Sequence, residues 1–225
     1  MKKLLMVLLA VMLAACTAST NKESVEPPAE EEIRKLPDKE IPDSSLMSES
    51  PLSPLNIDNY LFIDDVLYID TRSPQQFNEE GHIAGFTNIP FYESIATYND
   101  NPESLFEMKK VKGDDGKTKI LLGDVGSFFP RYKESEELLE YTFPRDKQIV
   151  FIATAGVESC YLINLLKQYG YDASLLYNAG SFTNSLGPNV AYKELDDVKY
   201  YVEPIAIYKV ASSFDWGELT AIERQ

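Results

Sequence analysis

The chain holds one histidine and two cysteines, so its capacity for nucleophilic or acid–base chemistry is narrow. Cys160 is the thiol set where reaction is conceivable. It ends the run Ile149-Val-Phe-Ile-Ala-Thr-Ala-Gly-Val-Glu-Ser-Cys160, in which a short apolar strand stops at a small, polar, glycine-containing loop and a helical pattern begins. A loop of that kind gathers backbone N–H groups at a helix N-terminus. Such a nest attracts anions and favours a thiolate over a thiol. Yet Ala153, where the strand ends, carries a methyl group, which is no nucleophile. Glu158, two positions before Cys160, places a carboxylate beside a loop suited to anions, and its repulsion is stronger in a partly buried site than in water. Cys160 shares the apolar stripe of Ile163 and Leu166, which predicts that it faces the sheet as a packing residue. The alternative is a reactive thiol whose pKa the helix dipole lowers.

Asp70 and Arg72 form a second constellation at the end of the run Val66-Leu-Tyr-Ile-Asp70. They read either as catalytic acid and cation or as an ion pair that shapes a pocket floor. His82 reads as a general base or pH sensor, or as a structural residue bonded within its turn. No metal site is expected, because one histidine and one free thiol cannot supply the usual zinc ligand sets. Neither a Gly-x-x-x-x-Gly-Lys phosphate loop nor a dinucleotide fingerprint occurs, and no cofactor is expected.

The elements that must position these residues follow from hydrophobic period and punctuation. Val66–Asp70 and Ile149–Ala153 predict buried strands, Phe86–Pro90 and Ser174–Tyr177 two more. Ser73-Pro74 predicts a helix start, with serine as cap and proline in the first turn. Phe91–Thr97 is a second short helical candidate. Lys133–Tyr141 and Val157–Tyr169 carry a helical period, and Gly170 ends the latter. Asp114-Asp115-Gly116 between Met108–Val111 and Lys119–Leu122 predicts a hairpin. Strands alternating with helices predict an α/β fold with a single doubly wound, mostly parallel sheet. Its ligand site would lie beyond the carboxyl ends of the strands, which singles out the loop Ala153, Thr154, Ala155, Gly156, Val157, Glu158 and Ser159.

Asp70-Thr-Arg-Ser-Pro-Gln-Gln-Phe77, Gly81-His-Ile-Ala-Gly85 and Asn88-Ile-Pro90 together resemble the rhodanese homology domain. Ile149–Ser159, Gly170-Tyr-Asp172 and Asn178-Ala-Gly180 extend the resemblance through the second half, from about Asp58 to Gly187. It implies a persulfide-forming cysteine at the head of the loop, which takes sulfur from a donor such as thiosulfate and passes it to a thiol or cyanide. Here that position is Ala153, and Glu158 stands where many members carry arginine. The resemblance therefore implies a degenerate loop without the usual sulfurtransferase reaction. A phosphatase of the related Cys-x-x-x-x-x-Arg type lacks both of its chemical residues here. The stretch 98–147 is long for such a domain. Its Tyr98, Phe106, Phe128, Phe129, Tyr132 and Tyr141 suggest either a binding face or packing on the flank.

The N-terminus carries a separate signal. Met1-Lys2-Lys3 is basic, and Leu4–Ala15 is an apolar run of 12 residues, shorter than the roughly 20 needed to span a bilayer and of signal-peptide length. Leu13-Ala14-Ala15-Cys16 resembles the lipobox of bacterial lipoproteins, which implies cleavage before Cys16 and a lipid anchor on its sulfur. Residues 1–15 are thus expected to be a lipoprotein signal, and 16–55, rich in Pro, Ser, Asp and Glu, a disordered tether. Residues 56–190 would be the rhodanese-like domain with an insertion at about 98–147, and 191–225 a C-terminal extension adding edge structure. The expected location is the extracytoplasmic side of a bacterial membrane. A formal net charge of −15 argues against a nucleic-acid partner, because phosphate binding needs clustered cations. The expectation is a binding or sensing module for a protein or small molecule; the alternative is a sulfur carrier using Cys160.

Overall fold

The computed structural model describes residues 34–99, 103–120, 123–184, 190–204 and 214–223. In chain order the elements are β1 (Val66–Asp70), α1 (Pro74–Glu79), β2 (His82–Ile83), β3 (Thr87–Asn88), β4 (Ala96–Thr97), β5 (Phe106–Met108) and β6 (Lys110–Lys112). There follow β7 (Thr118–Ile120), β8 (Phe128–Pro130), α2 (Ser135–Thr142), β9 (Gln148–Ala153), α3 (Val157–Gln168), β10 (Leu176–Ser181) and β11 (Tyr201–Val202). The central sheet runs β10-β9-β1-β3, and all its pairings are parallel. The α/β fold and the mostly parallel sheet are as expected.

Alternation along the strands divides the core in two. Ile69, Ile149 and Phe151 point to one face, where they meet Leu162, Leu165 and Leu166 of α3 and Leu139 of α2. Tyr68, Val150 and Ile152 point to the other. That second face is covered by Leu36, Leu52, Ile57 and Leu61, with Phe86, Phe182 and Tyr192. The expected tether is therefore corrected from Arg34 onward: Leu36 and Leu52 are buried core residues. The Pro, Ser and acidic composition suggested a solvated spacer. A few leucines at the right places suffice to dock it, since a parallel sheet must be covered on both faces. Residues 16–33, the signal region and Cys16 lie outside the described residues.

The insertion is a structure of its own. Its β5 pairs in parallel with β4 and antiparallel with β8. The hairpin forms as β6 against β7, its first strand starting two residues later than expected, at Lys110, and its second one residue earlier, at Thr118; Leu121 and Leu122 lie outside the described residues. Phe106 and Phe128 are buried in the α2–α3 side of the core, while Phe129, Tyr98 and Tyr141 are exposed. Phe91–Ile95 closes as a wide π-type turn rather than a regular helix. Ser174–Tyr177 is also corrected: Ala173–Leu175 is a 3-10 turn capped by Asp172, and the strand starts at Leu176. In the C-terminal extension β11 pairs antiparallel with β2. None of the described helices is long and apolar enough to cross a membrane.

Candidate functional site

The site is built where β1, β9 and β10 end. Ala153 closes β9 and is fully buried. The chain then turns through Thr154, Ala155 and Gly156 into α3. Gly156 has φ +76°, a left-handed geometry that costs other residues energy. Its absent Cβ also leaves room for Met47, whose Sδ lies 2.8 Å from where that Cβ would stand. The loop is fastened on three sides. Phe182 N donates to Ala153 O (2.8 Å), and Asn184 N to Thr154 O (3.0 Å). Asn178, itself buried, donates through Nδ2 to Gly156 O (3.0 Å), while its Oδ1 accepts from Gly180 N (3.0 Å). From α1, Gln76 Nε2 donates to Thr154 Oγ1 (3.2 Å).

Gln76 links a helix cap to the site. Ser73 Oγ accepts from Gln76 N (3.1 Å), and Ser73 N donates back to Gln76 Oε1 (3.4 Å). This capping box holds the glutamine beside the loop. Sequence reasoning found the cap and missed its second task. It named Asn178 only as part of a glycine-rich segment. The Asn-x-Gly spacing, which lets an asparagine side chain bond a backbone N–H two residues on, was the available signal.

Asp70 and Arg72 come together as a fully buried ion pair, Arg72 Nη2 to Asp70 Oδ2 at 2.7 Å. Arg72 Nε also donates to Asp70 (3.0 Å), Nη2 donates to Gly81 O (2.8 Å), and the guanidinium stacks 3.7 Å from the Phe182 ring centroid. Asn88 Nδ2 ties both carbonyls of the pair, Asp70 O at 3.1 Å and Arg72 O at 2.8 Å. The cation is thus engaged internally. His82 stacks on Phe77 with centroids 3.8 Å apart, and its Nδ1 lies 3.3 Å from Phe77 O. Burial lowers the His82 pKa, opposed by the Phe77 carbonyl.

At the first turn of α3 the balance is negative. Burial raises the Glu158 pKa, and the charge of Asp70 adds to the rise, while a bond from the residue's own backbone N–H opposes it. Glu158 Oε2 is buried without a hydrogen-bond partner. Burial and the charge of Glu158 likewise raise the Glu93 pKa. Burial raises that of Tyr92, with Glu158 next among the causes.

Cys160 departs from expectation. It is partly exposed rather than packed against the sheet, and its Sγ lies 3.3 Å from Ser45 Oγ. The three-residue spacing to Ile163 was sound, but Ser159, Leu162, Ile163, Leu165 and Leu166 are the buried positions of α3. Cys160 therefore sits at the rim of the apolar stripe. No group of three or more potential metal ligands occurs among the described residues.

The model of the rhodanese-like domain matches residues 56–184, more than half of the chain. The chain belongs to the rhodanese-like family. No curated protein matches it. Within this rhodanese-like domain, the matched segment takes in β1, the Gly81–Gly85 turn, β9, the loop and β10. The folded unit starts earlier than the match, because residues 34–55 complete its second face.

Proposed function

We propose that this rhodanese-like protein is a membrane-anchored envelope lipoprotein whose domain binds or senses a ligand and does not transfer sulfur at its loop. The carrying observation is the buried methyl of Ala153 at the head of the loop. The sulfur of a persulfide needs a thiolate there, and a methyl group cannot supply one. The electrostatics support the same reading. An anionic sulfur donor would meet Glu158 and Glu93, while Arg72 is engaged with Asp70. The loop Thr154–Ser159 and the exposed aromatics of the insertion, Tyr98 and Phe129, would form the recognition face.

The anchor is proposed from the Leu13-Ala14-Ala15-Cys16 sequence. Growth with an alkyne-tagged fatty acid should label the protein, and Cys16→Ser should abolish the label and release the protein from membranes. Labelling unaffected by Cys16→Ser would sink the anchor.

For the domain, the test is intact-mass spectrometry after incubation with thiosulfate or polysulfide. The expected result is no gain of a sulfur atom. A gain mapped to Cys160 and lost in Cys160→Ser would establish the second reading, a divergent sulfur carrier. The partial exposure of that thiol is the observation in its favour.

A further inference from the structure

Residues 37–51 form a strap between two apolar anchors. Leu36 and Leu52 are buried in the second face of the core, and between them only Ser45 is buried. The strap lies along β10, the terminal strand of the central sheet. Its backbone–backbone hydrogen bonds among the described residues are local ones, such as Ser44 N to Ile41 O and Ser50 N to Met47 O. What holds it to the domain is a small set of side-chain contacts. Lys39 Nζ donates to Ala173 O (2.9 Å) and Leu176 O (3.1 Å), and to the strap's own Pro42 O and Ser44 O (both 2.9 Å). An ammonium has three N–H groups, so these four carbonyls share them. Lys167 Nζ of α3 donates to Asp43 O (2.5 Å), and Asn178 Nδ2 donates to Ser45 O (3.1 Å). Ser45 Oγ lies 3.3 Å from Cys160 Sγ and shields one side of that part-buried thiol, and Met47 lies against Gly156 and Gly180.

A segment with few buried apolar contacts, held by polar contacts at its rim, opens at lower cost than the sheet beneath it. We propose that residues 37–51 are a hinged strap that opens as a local unit about Leu36 and Leu52, and that its closure controls access to Cys160 and to the Gly156 end of the site loop. Opening breaks the Lys39, Lys167, Ser45 and Met47 contacts together, because they lie on one short segment. It leaves β9, β1 and α3 intact, because none of their mutual pairings passes through the strap. The inference does not depend on whether the loop is silent: the part-buried thiol and the Gly156 end of the loop are flanked by the same segment.

The test is alkylation of Cys160 by iodoacetamide in the folded full chain, read on the peptide that carries Cys160 so that Cys16 does not enter. The rate is followed with urea below the unfolding transition. Local opening exposes little surface, so the rate should be nearly flat in urea there, and slower than in the unfolded chain by at least tenfold. Lys39→Met should raise it at least tenfold while circular dichroism and the unfolding slope stay as in the wild type. A wild-type rate that rises with the full urea slope of global unfolding would overturn the strap. So would a rate equal to that of the unfolded chain, or a folded Lys39→Met protein with an unchanged rate. Should Lys39→Met fail to fold, the urea dependence of the wild type decides alone.

Discussion

Replacing Asp70 by asparagine removes the charge that neutralises a fully buried guanidinium. In the native protein Arg72 makes three contacts to the Asp70 carboxylate between 2.7 and 3.0 Å, one to Gly81 O and a stack on Phe182. After the substitution its nearest carboxylate is Glu80, 3.6 Å from Nη1 and partly exposed. A charge left buried by loss of its partner typically costs about 3–5 kcal/mol. Glu80 offsets only part of this, because a partly exposed ion pair contributes about 1 kcal/mol or less. With a urea slope of roughly 2 kcal/mol per molar, the unfolding midpoint should fall by about 1–2 M. Removing both charges, in Asp70→Asn combined with Arg72→Met, should recover more than half of that loss, because a buried pair often contributes little net stability against apolar packing. The assay is urea unfolding followed by circular dichroism for the wild type, the two single variants and the double variant. An Asp70→Asn shift below about 0.5 M, corresponding to roughly 1 kcal/mol, would refute the view that Asp70 is the main counter-charge of Arg72. A double variant as unstable as the worse single variant would show that the pair's shape, rather than its charge balance, holds the ends of β1 and β9.

Ala153→Cys alone should take up little sulfur from thiosulfate, whereas Ala153→Cys with Glu158→Arg should form a persulfide at least tenfold more readily, read as a gain of one sulfur in intact mass; equal uptake would remove Glu158 from the argument. Gly156→Ala should destabilise the domain by about 1–3 kcal/mol in urea unfolding, because φ is positive there and the new methyl would meet Met47 Sδ. A loss below about 0.5 kcal/mol would show that the loop relaxes freely. Glu158 has a folded pKa above its ordinary value of 4.5, so the folded state holds its proton more tightly than the unfolded state. Its stability contribution is complete below pH 4.5 and is lost as pH rises through the folded value. Glu158→Gln should therefore unfold at higher urea than the wild type at pH 7 and lose part of the pH dependence above 4.5. A lower midpoint at pH 7 would show that the ionised carboxylate is stabilising where it lies.

Much of the site frame was legible in the linear chain, for local reasons. Ser73-Pro74 specifies a capped helix start because the serine side chain satisfies an N–H of the first turn, and Ser73 Oγ does accept from Gln76 N. Val66–Asp70 and Ile149–Ala153 are apolar enough to be strands covered on both faces, and β1 and β9 are adjacent in the sheet. Asp-Gly at the turn between β6 and β7 works through backbone conformations that glycine allows. What escaped depends on contacts between distant segments. Docking of residues 34–55 through the buried Leu36 and Leu52 depends on an uncovered sheet face that exists only after β1, β9 and β10 have paired, so their composition alone read as solvated chain. The second role of Gln76 depends on how α1 docks beside Thr154. Whether Cys160 faces the sheet or its rim turns on the rotation of α3 about its axis, which its neighbours' packing sets and a three-residue spacing leaves open. Local sequence decides what an element is, because caps, turns and periodicity act within a few residues. Tertiary structure decides which side chains meet, because burial and long-range hydrogen bonds exist only once the sheet and its two coverings have assembled.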